Sequence, residues 1–190
     1  MIVAQGSEAG GHTGTVSSLV LLPEILDVVG GRVPVLAAGG IVTGGQMAAM
    51  MALGAHGAWT GSVWLTTEEA ETARATKEKM LSATASDTVR SRGRTGKPAR
   101  QLRSDWTDAW DQPDSPSPLP MPLQSMISEP ALRRVDAAAV GGNAAATRLA
   151  TYFVGQGVGL MHTVKPAARV VREFMEDFAA AAERLQDLVG

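Results

Sequence analysis

Three short glycine-rich segments of this chain carry residues suited to chemistry. The first, Gln5-Gly6-Ser7-Glu8-Ala9-Gly10-Gly11-His12-Thr13-Gly14, follows an apolar run at the start of the sequence. Its glycines let the backbone come close to a ligand, and His12 offers an imidazole, the side chain that exchanges protons near neutral pH. A lone histidine is usually structural, but in a Gly-rich turn straight after a strand His12 becomes a candidate acid/base group. The second segment, Ala37-Ala38-Gly39-Gly40-Ile41, precedes the helix start Thr43-Gly44-Gly45-Gln46. Glycines ahead of a helix N-terminus present free N–H groups and a positive dipole end, which suits a phosphate. The third is Trp59-Thr60-Gly61-Ser62, where the Gly61 and Ser62 amides and the Ser62 hydroxyl can grip the same phosphate from the other side. A Gly-Gly pair alone is more often simple chain reversal; two in sequence at strand ends favour phosphate.

Those segments work together only if parallel strands deliver them to one face, and residues 1–85 alternate short apolar runs with helical stretches in the manner of strands joined by helical crossovers. Strands are expected at 2–5, 33–38 and 57–60. Leu19 to Val29 reads as a covering helix, with Pro23 at its first position and Gly30-Gly31 as its stop. Thr43 and Gln46 have capping-box spacing and start a helix that Gly54 can close; Thr66-Thr67-Glu68-Glu69 repeats the signature before an expected helix at about 67–83. Ser91 to Arg103 is basic and polar and leads into a stretch with Pro113, Pro116, Pro118, Pro120 and Pro122, which reads as an extended surface segment. Near the end, Val171, Phe174, Phe178, Ala181, Leu185 and Leu188 recur at helical spacing as one apolar face for packing. The division expected is 1–88, a basic then Pro-rich extension over 89–130, and a helical segment over 131–190.

Composition narrows the classes of function. Net charge is −2 and the seventeen Lys and Arg residues form no single block, so nucleic acid is not an expected partner. There is no cysteine, and the histidines at 12, 56 and 162 lack metal-ligand spacing, so no metal site is expected. No run is long enough to span a membrane and no leader pattern follows Met1, which makes the cytoplasm the expected location. The chain opens directly on a strand-like run, a first sign of truncation. His56 and His162 are expected to be surface or packing residues. Glu8 can orient His12, although a loop carboxylate is more often solvated. Arg92, Arg94, Lys97, Arg100 and Arg103 are expected to form a solvated basic surface, and Trp106 with Trp110 to pack one helix turn.

Read together, Gln-Gly-x-Glu-Ala-Gly-Gly-His-x-Gly, Pro-Val-x-Ala-Ala-Gly-Gly-Ile and Leu-Gly-Ala-x-Gly with a closing Gly-Ser resemble the nitronate monooxygenase (2-nitropropane dioxygenase) family and its relatives, the type II enoyl-ACP reductases. The likeness spans about residues 1–100, with Asp87-Thr88, Gly96-Lys97-Pro98-Ala99-Arg100 and Gly155-Gln156-Gly157 as further landmarks. It implies an α/β fold: the C-terminal part, about strands six to eight, of an FMN-binding (β/α)8 TIM barrel, with a Pro-rich extension and C-terminal helices. It also implies that His12 is the catalytic acid/base and that Gln5, Gly10, Gly39, Gly40, Trp59, Thr60, Gly61 and Ser62 bind FMN. The chain departs from the family pattern at Trp59-Thr60, where Gln and a hydrophobic residue are usual, and at Ser62, where Thr is usual but the hydroxyl survives. The first five strands of the family have no counterpart in it.

The activity so implied is FMN-dependent oxidation of alkyl nitronates, or of nitroalkanes whose α-proton His12 removes, by dioxygen to carbonyl compounds and nitrite. A protonated His12 that steadies the anion is an equally open role. An NAD(P)H-dependent enoyl-thioester reductase and an inactive barrel fragment are the alternatives. Open sheet edges make self-association an expected property of the truncated chain.

Overall fold

The computed structural model describes all 190 residues, Met1–Gly190. Strand β1 (Ile2–Gln5) is followed by the two-residue strand β2 (Gly11–His12), helix α1 (Ser18–Val29), β3 (Val35–Ala38), α2 (Gly44–Ala52) and β4 (Ala58–Trp59). β1, β3 and β4 form a parallel sheet in that order, with Ile2 opposite Val35, Gln5 opposite Ala38 and Ala38 opposite Trp59. The three functional segments thus leave the same end of one sheet. β3 and β4 are shorter than the runs 33–38 and 57–60 suggest, because only these residues find ladder partners. Leu22, Val35, Ala37, Ile41, Val63 and Phe174 belong to the main core.

Local signals account for α2 in full. Thr43 Oγ1 accepts from Gln46 N, and the Gln46 side chain returns to the Thr43 amide, a reciprocal capping box. α1 ends at Gly30 in the left-handed region, φ 55°. Pro23, however, lies inside α1 rather than at its first position. The amide that it lacks would have bonded the Leu19 carbonyl, and Leu19 is exposed, so water can serve that oxygen.

Tertiary contacts overrule the expected helix at 67–83. A short 3₁₀ helix occupies Ser62–Thr66, and α3 begins only at Arg74 and runs to Ser82. The Thr67 amide closes the 3₁₀ helix on Trp64, Glu68 N donates to Lys165 O at 3.0 Å, and the Glu69 carboxylate accepts the Ala167 amide at 2.9 Å. The residues that would have capped a helix at 67 thus meet the start of helix α7 (Ala167–Val189) instead.

The basic stretch is not a surface segment. Beyond α3, β5 (Thr88–Ser91) and β6 (Ala99–Leu102) pair antiparallel, and β6 also pairs with β2, placing Ala99 opposite His12. All four β6 residues are buried. α4 (Asp105–Trp110) carries the expected tryptophan contact, ring centroids 6.1 Å apart. α5 (Leu123–Val140) then runs through position 130, so a division there falls inside a helix. After α6 (Ala144–Leu149), Phe153 bridges to Gln101.

α7 packs against α2 through Val170, Phe174, Phe178 and Ala181, whereas Val171, Leu185 and Leu188 of the expected stripe are exposed. The helices approach so closely that a Cβ at Gly44 would overlap the Phe174 carbonyl oxygen. No helix is long and apolar enough to cross a membrane.

Partial burial on α5 leaves a testable mark on stability. Burial pushes the Asp136 carboxyl above its ordinary value of 3.8; Arg94 opposes the shift and Glu129 adds to it. The folded carboxyl keeps its proton to higher pH than the unfolded one, so stability falls as pH rises from about 3.8 through the raised folded value. Asp136→Asn should therefore raise the melting temperature at pH 7 and leave it unchanged below the ordinary carboxyl value. Thermal melts of the two chains across that range check this, and a lower melting temperature for the Asn variant at pH 7 would refute it.

Candidate active site

The loop from Gln5 to His12 is held on three sides. The Glu8 carboxylate accepts the Ser18 amide with both oxygens, at 3.1 and 3.0 Å, and lies 3.0 Å from the Ser18 hydroxyl. Glu8 therefore anchors the loop to the start of α1; it is neither freely solvated nor hydrogen-bonded to His12. Glu8 O accepts from Gln156 N at 2.8 Å, and Gly10 lies against Val154 and Gly155 with no room for a Cβ. From the antiparallel sheet, Arg90 donates to Thr13 O and Arg100 to Ser7 O, each at 2.9 Å. Arg100 is buried and also bonds Thr88 Oγ1, and its burial, with Arg90 nearby, pulls its pKa down.

Arg94 is likewise buried rather than solvated. It forms a two-pronged ion pair with Glu129, at 2.7 and 3.2 Å, while its guanidinium carbon lies 4.4 Å from the centre of the Phe153 ring. Only Lys97, Arg92 and Arg103 of the basic group are exposed.

His12 sits at the rim. Gln5 Nε2 donates to its carbonyl oxygen at 2.8 Å, its own Nε2 lies 2.8 Å from Thr95 Oγ1, and its ring centroid is 6.4 Å from that of Phe153. The imidazole is exposed, as an acid/base group that meets an incoming substrate must be. His56 accepts the Val35 amide at the opposite end of β3, and His162 is exposed in the segment before α7; neither lines the cleft described below.

Beside His12 opens a cleft of about 260 Å³ lined by Gln5, Gly10, Gly39, Gly40, Trp59, Gly61 and Ser62 together with Ile41, Leu65 and Phe153. Gly39 and Gly40 both have positive φ, 121° and 69°, a conformation that side chains resist. The turn so formed leaves the amides of Gly40 and Ile41 without a hydrogen bond inside the chain, and the Gly61 amide is free as well. Free amides on residues that line one cleft fit an anionic group such as a phosphate. At the start of α2 the Gln46 carboxamide oxygen takes the Val42 and Thr43 amides, at 2.8 and 3.1 Å, and no residue of α2 lines the cleft. Ser62 Oγ accepts from Gly155 N at 2.8 Å and retains its own proton for a ligand. Thr60 lies outside the lining, with its hydroxyl accepting from Trp64 Nε1 at 3.0 Å.

Sequence reasoning missed Phe153, Leu65 and Thr95, and read Arg94 as a solvated charge. Phe153 stands just before Gly155-Gln156-Gly157, a landmark already visible, but nothing local says that this distant segment folds back over Glu8 and Gly40. Thr95 and Arg94 were hidden inside a stretch whose polarity suggested solvent.

Comparison with known proteins agrees with this geometry. A model of the family "NMO: Nitronate monooxygenase" matches residues 1–177. A Mycobacterium tuberculosis protein named "Putative monooxygenase Rv1533" is 60% identical over 190 residues, covering 100% of this chain and 50% of that protein. The solved nitroalkane oxidase of Streptomyces ansochromogenes superposes with a TM-score of 0.82 at 32% identity, covering 96% of this chain and 52% of its own. FabK of Thermotoga maritima superposes with a TM-score of 0.78 at 31% identity, covering 98% of this chain and 56% of its own. The chain spans about half the length of these relatives. With the family model matching nearly its whole length, and His12 set beside a glycine-lined cleft, the chain belongs to the nitronate monooxygenase family of flavin oxidoreductases.

Proposed function

We propose that this chain carries the flavin phosphate site and the acid/base residue of an FMN-dependent nitronate monooxygenase, which turns alkyl nitronates, and nitroalkanes, into carbonyl compounds and nitrite with dioxygen. The observation that carries the reading is the single cleft that gathers Gln5, Gly10, Gly39, Gly40, Trp59, Gly61 and Ser62 beside Phe153, whose ring is 6.4 Å from that of His12, with the Gly40, Ile41 and Gly61 amides unpaired inside the chain. The Gly40, Ile41 and Gly61 amides and the Ser62 hydroxyl hold the FMN phosphate, while Gln5, Gly10 and Trp59 flank the rest of the cofactor. When bound, FMN supplies the electron acceptor that links substrate to dioxygen. His12 takes the α-proton of a neutral nitroalkane, and Phe153 and Leu65 add an apolar wall that keeps water from the reacting carbon.

A second reading, an NAD(P)H-dependent enoyl-thioester reductase, draws on the likeness to FabK. In a chimera that supplies the rest of the barrel from the 60% identical relative, nitrite release from propionate 3-nitronate without NAD(P)H supports the monooxygenase. Rapid flavin reduction by NAD(P)H with no nitrite would overturn it in favour of the reductase.

By itself the 190-residue chain should hold FMN weakly, lack turnover and self-associate. The outer edges of β1 and β4 have no partner, and Ile2 and Val3 are exposed. Its accessible surface is 10407 Å², against roughly 8,600 Å² for a compact monomer of its mass. Unpaired edges and exposed apolar residues on them favour association. Size-exclusion chromatography with flavin absorbance and a nitrite assay tests this, and a yellow, active monomer is the result that would defeat it.

A further inference from the structure

We propose that Thr95 is a positioning residue for His12: it holds Nε2 and leaves Nδ1 as the nitrogen that exchanges a proton with substrate. The inference rests on His12 being the acid/base group of the proposed function. Thr95 is buried, 7% exposed, whereas the imidazole that it meets is exposed, so the hydroxyl is the fixed member of the pair.

The turn that presents Thr95 is fastened from several directions. Gly96 N donates to Arg92 O at 2.8 Å, Gln124 Nε2 to Gly93 O at 2.8 Å, Ser128 Oγ to Arg94 O, and Arg94 pairs with Glu129 on the same helix α5. Gln124 and Ser128 are themselves buried. An anchor held by this many bonds transmits its position to the ring it touches.

The protons around Thr95 decide the tautomer. A threonine hydroxyl has one proton and two acceptor lone pairs. Lys97 N donates to Oγ1 at 3.3 Å, and Lys97 O lies 3.1 Å away, placed to receive the hydroxyl proton. With that proton on Lys97 O, the remaining lone pair accepts from His12 Nε2–H across 2.8 Å, and every group in the cluster is paired. The reverse arrangement, hydroxyl donating to Nε2, strips Lys97 O of its donor and protonates Nδ1, which then has no lone pair for a substrate proton. The fully paired state is favoured because it keeps three hydrogen bonds on the buried Thr95 hydroxyl, one more than the reverse arrangement, which hands Lys97 O to solvent. Turning the ring over would put a carbon where Nε2 now bonds.

In this arrangement Nδ1 receives the α-proton of a nitroalkane, and the electron pair of the broken C–H bond stays on the substrate as the nitronate. The imidazolium so formed keeps its Nε2–H bond to Thr95, and no group need rotate during the transfer. Thr95 touches neither substrate nor cofactor in this scheme and acts through His12.

Imidazole nitrogen NMR on the ¹⁵N-labelled chain tests the proposal without requiring turnover. The three histidines are few enough to assign, and His12→Asn identifies the signal concerned. In the neutral form we expect His12 to show a protonated Nε2 and an unprotonated Nδ1. Thr95→Val should change the tautomer ratio by roughly tenfold, the worth of one net hydrogen bond, and Thr95→Ser should restore it. The His56 signals, from a residue that accepts the Val35 amide at the far end of the sheet, report whether each variant is folded. A His12 carrying its proton mainly on Nδ1 in the unaltered chain would overturn the proposal, even if the Val variant failed to fold. So would an unchanged ratio in a folded Val variant. The reading of His12 as the acid/base group stands or falls separately, on the turnover of His12→Asn.

Discussion

His12→Asn, in a completed barrel, should lower turnover of neutral nitroalkanes by about 10²–10⁴-fold, the range for loss of a positioned general base, while FMN stays bound. Flavin retention is expected because the ring of His12 does not line the cleft that collects the glycine turns. The loop should also keep its shape, since Gln5 bonds the backbone carbonyl of residue 12 and β2 pairs with β6 through the main chain. Nitronates should suffer less, for they arrive already deprotonated. Steady-state nitrite release from nitroethane and from its nitronate separates the two roles of the imidazole. Equal losses on both substrates would mean that His12 steadies the anion rather than removes the proton.

Gly40→Val should weaken FMN binding by about 10–100-fold, the equivalent of one lost hydrogen bond to a charged group at roughly 1.5–3 kcal/mol. Two effects act together at this position. Its φ of 69° is one that a β-branched residue resists, so the turn that frees the Gly40 and Ile41 amides would have to shift. A Cβ there would also lie 3.2 Å from Glu8 Cβ, and Glu8 ties the His12 loop to α1. Gly45→Ala is the control, because a Cβ at Gly45 meets nothing within 4 Å. Flavin titration of both variants reads the difference. An unchanged dissociation constant for Gly40→Val would remove the phosphate from this turn.

What the sequence determined by itself was whatever a few neighbouring residues decide. The Thr43 and Gln46 capping box, the Gly30 stop and the glycine turn at 39–40 follow from local hydrogen bonding and allowed φ, and each takes the form its residues indicate. The three parallel strands were legible too, because their apolar runs match the pairing that buries Val35 and Ala37. Tertiary structure decided what depended on residues far apart. Glu69 can cap the segment that follows it or the start of α7, and it does the second, because the Ala167 amide is brought to it. Arg94 and Arg100 read as surface charges, yet they are buried, Arg94 against Glu129 and the Phe153 ring and Arg100 on the Ser7 carbonyl, all distant in sequence. The polar stretch 91–103 contains strand β6 for a similar reason: β2 supplies an edge that only the fold of residues 5–12 creates. His12 announced itself through its turn, but its partner Thr95 lies 83 residues away, and no spacing rule connects them. A local signal survives folding where its bonds are made among neighbours; where partners compete across the chain, burial and unpaired polar groups choose between them.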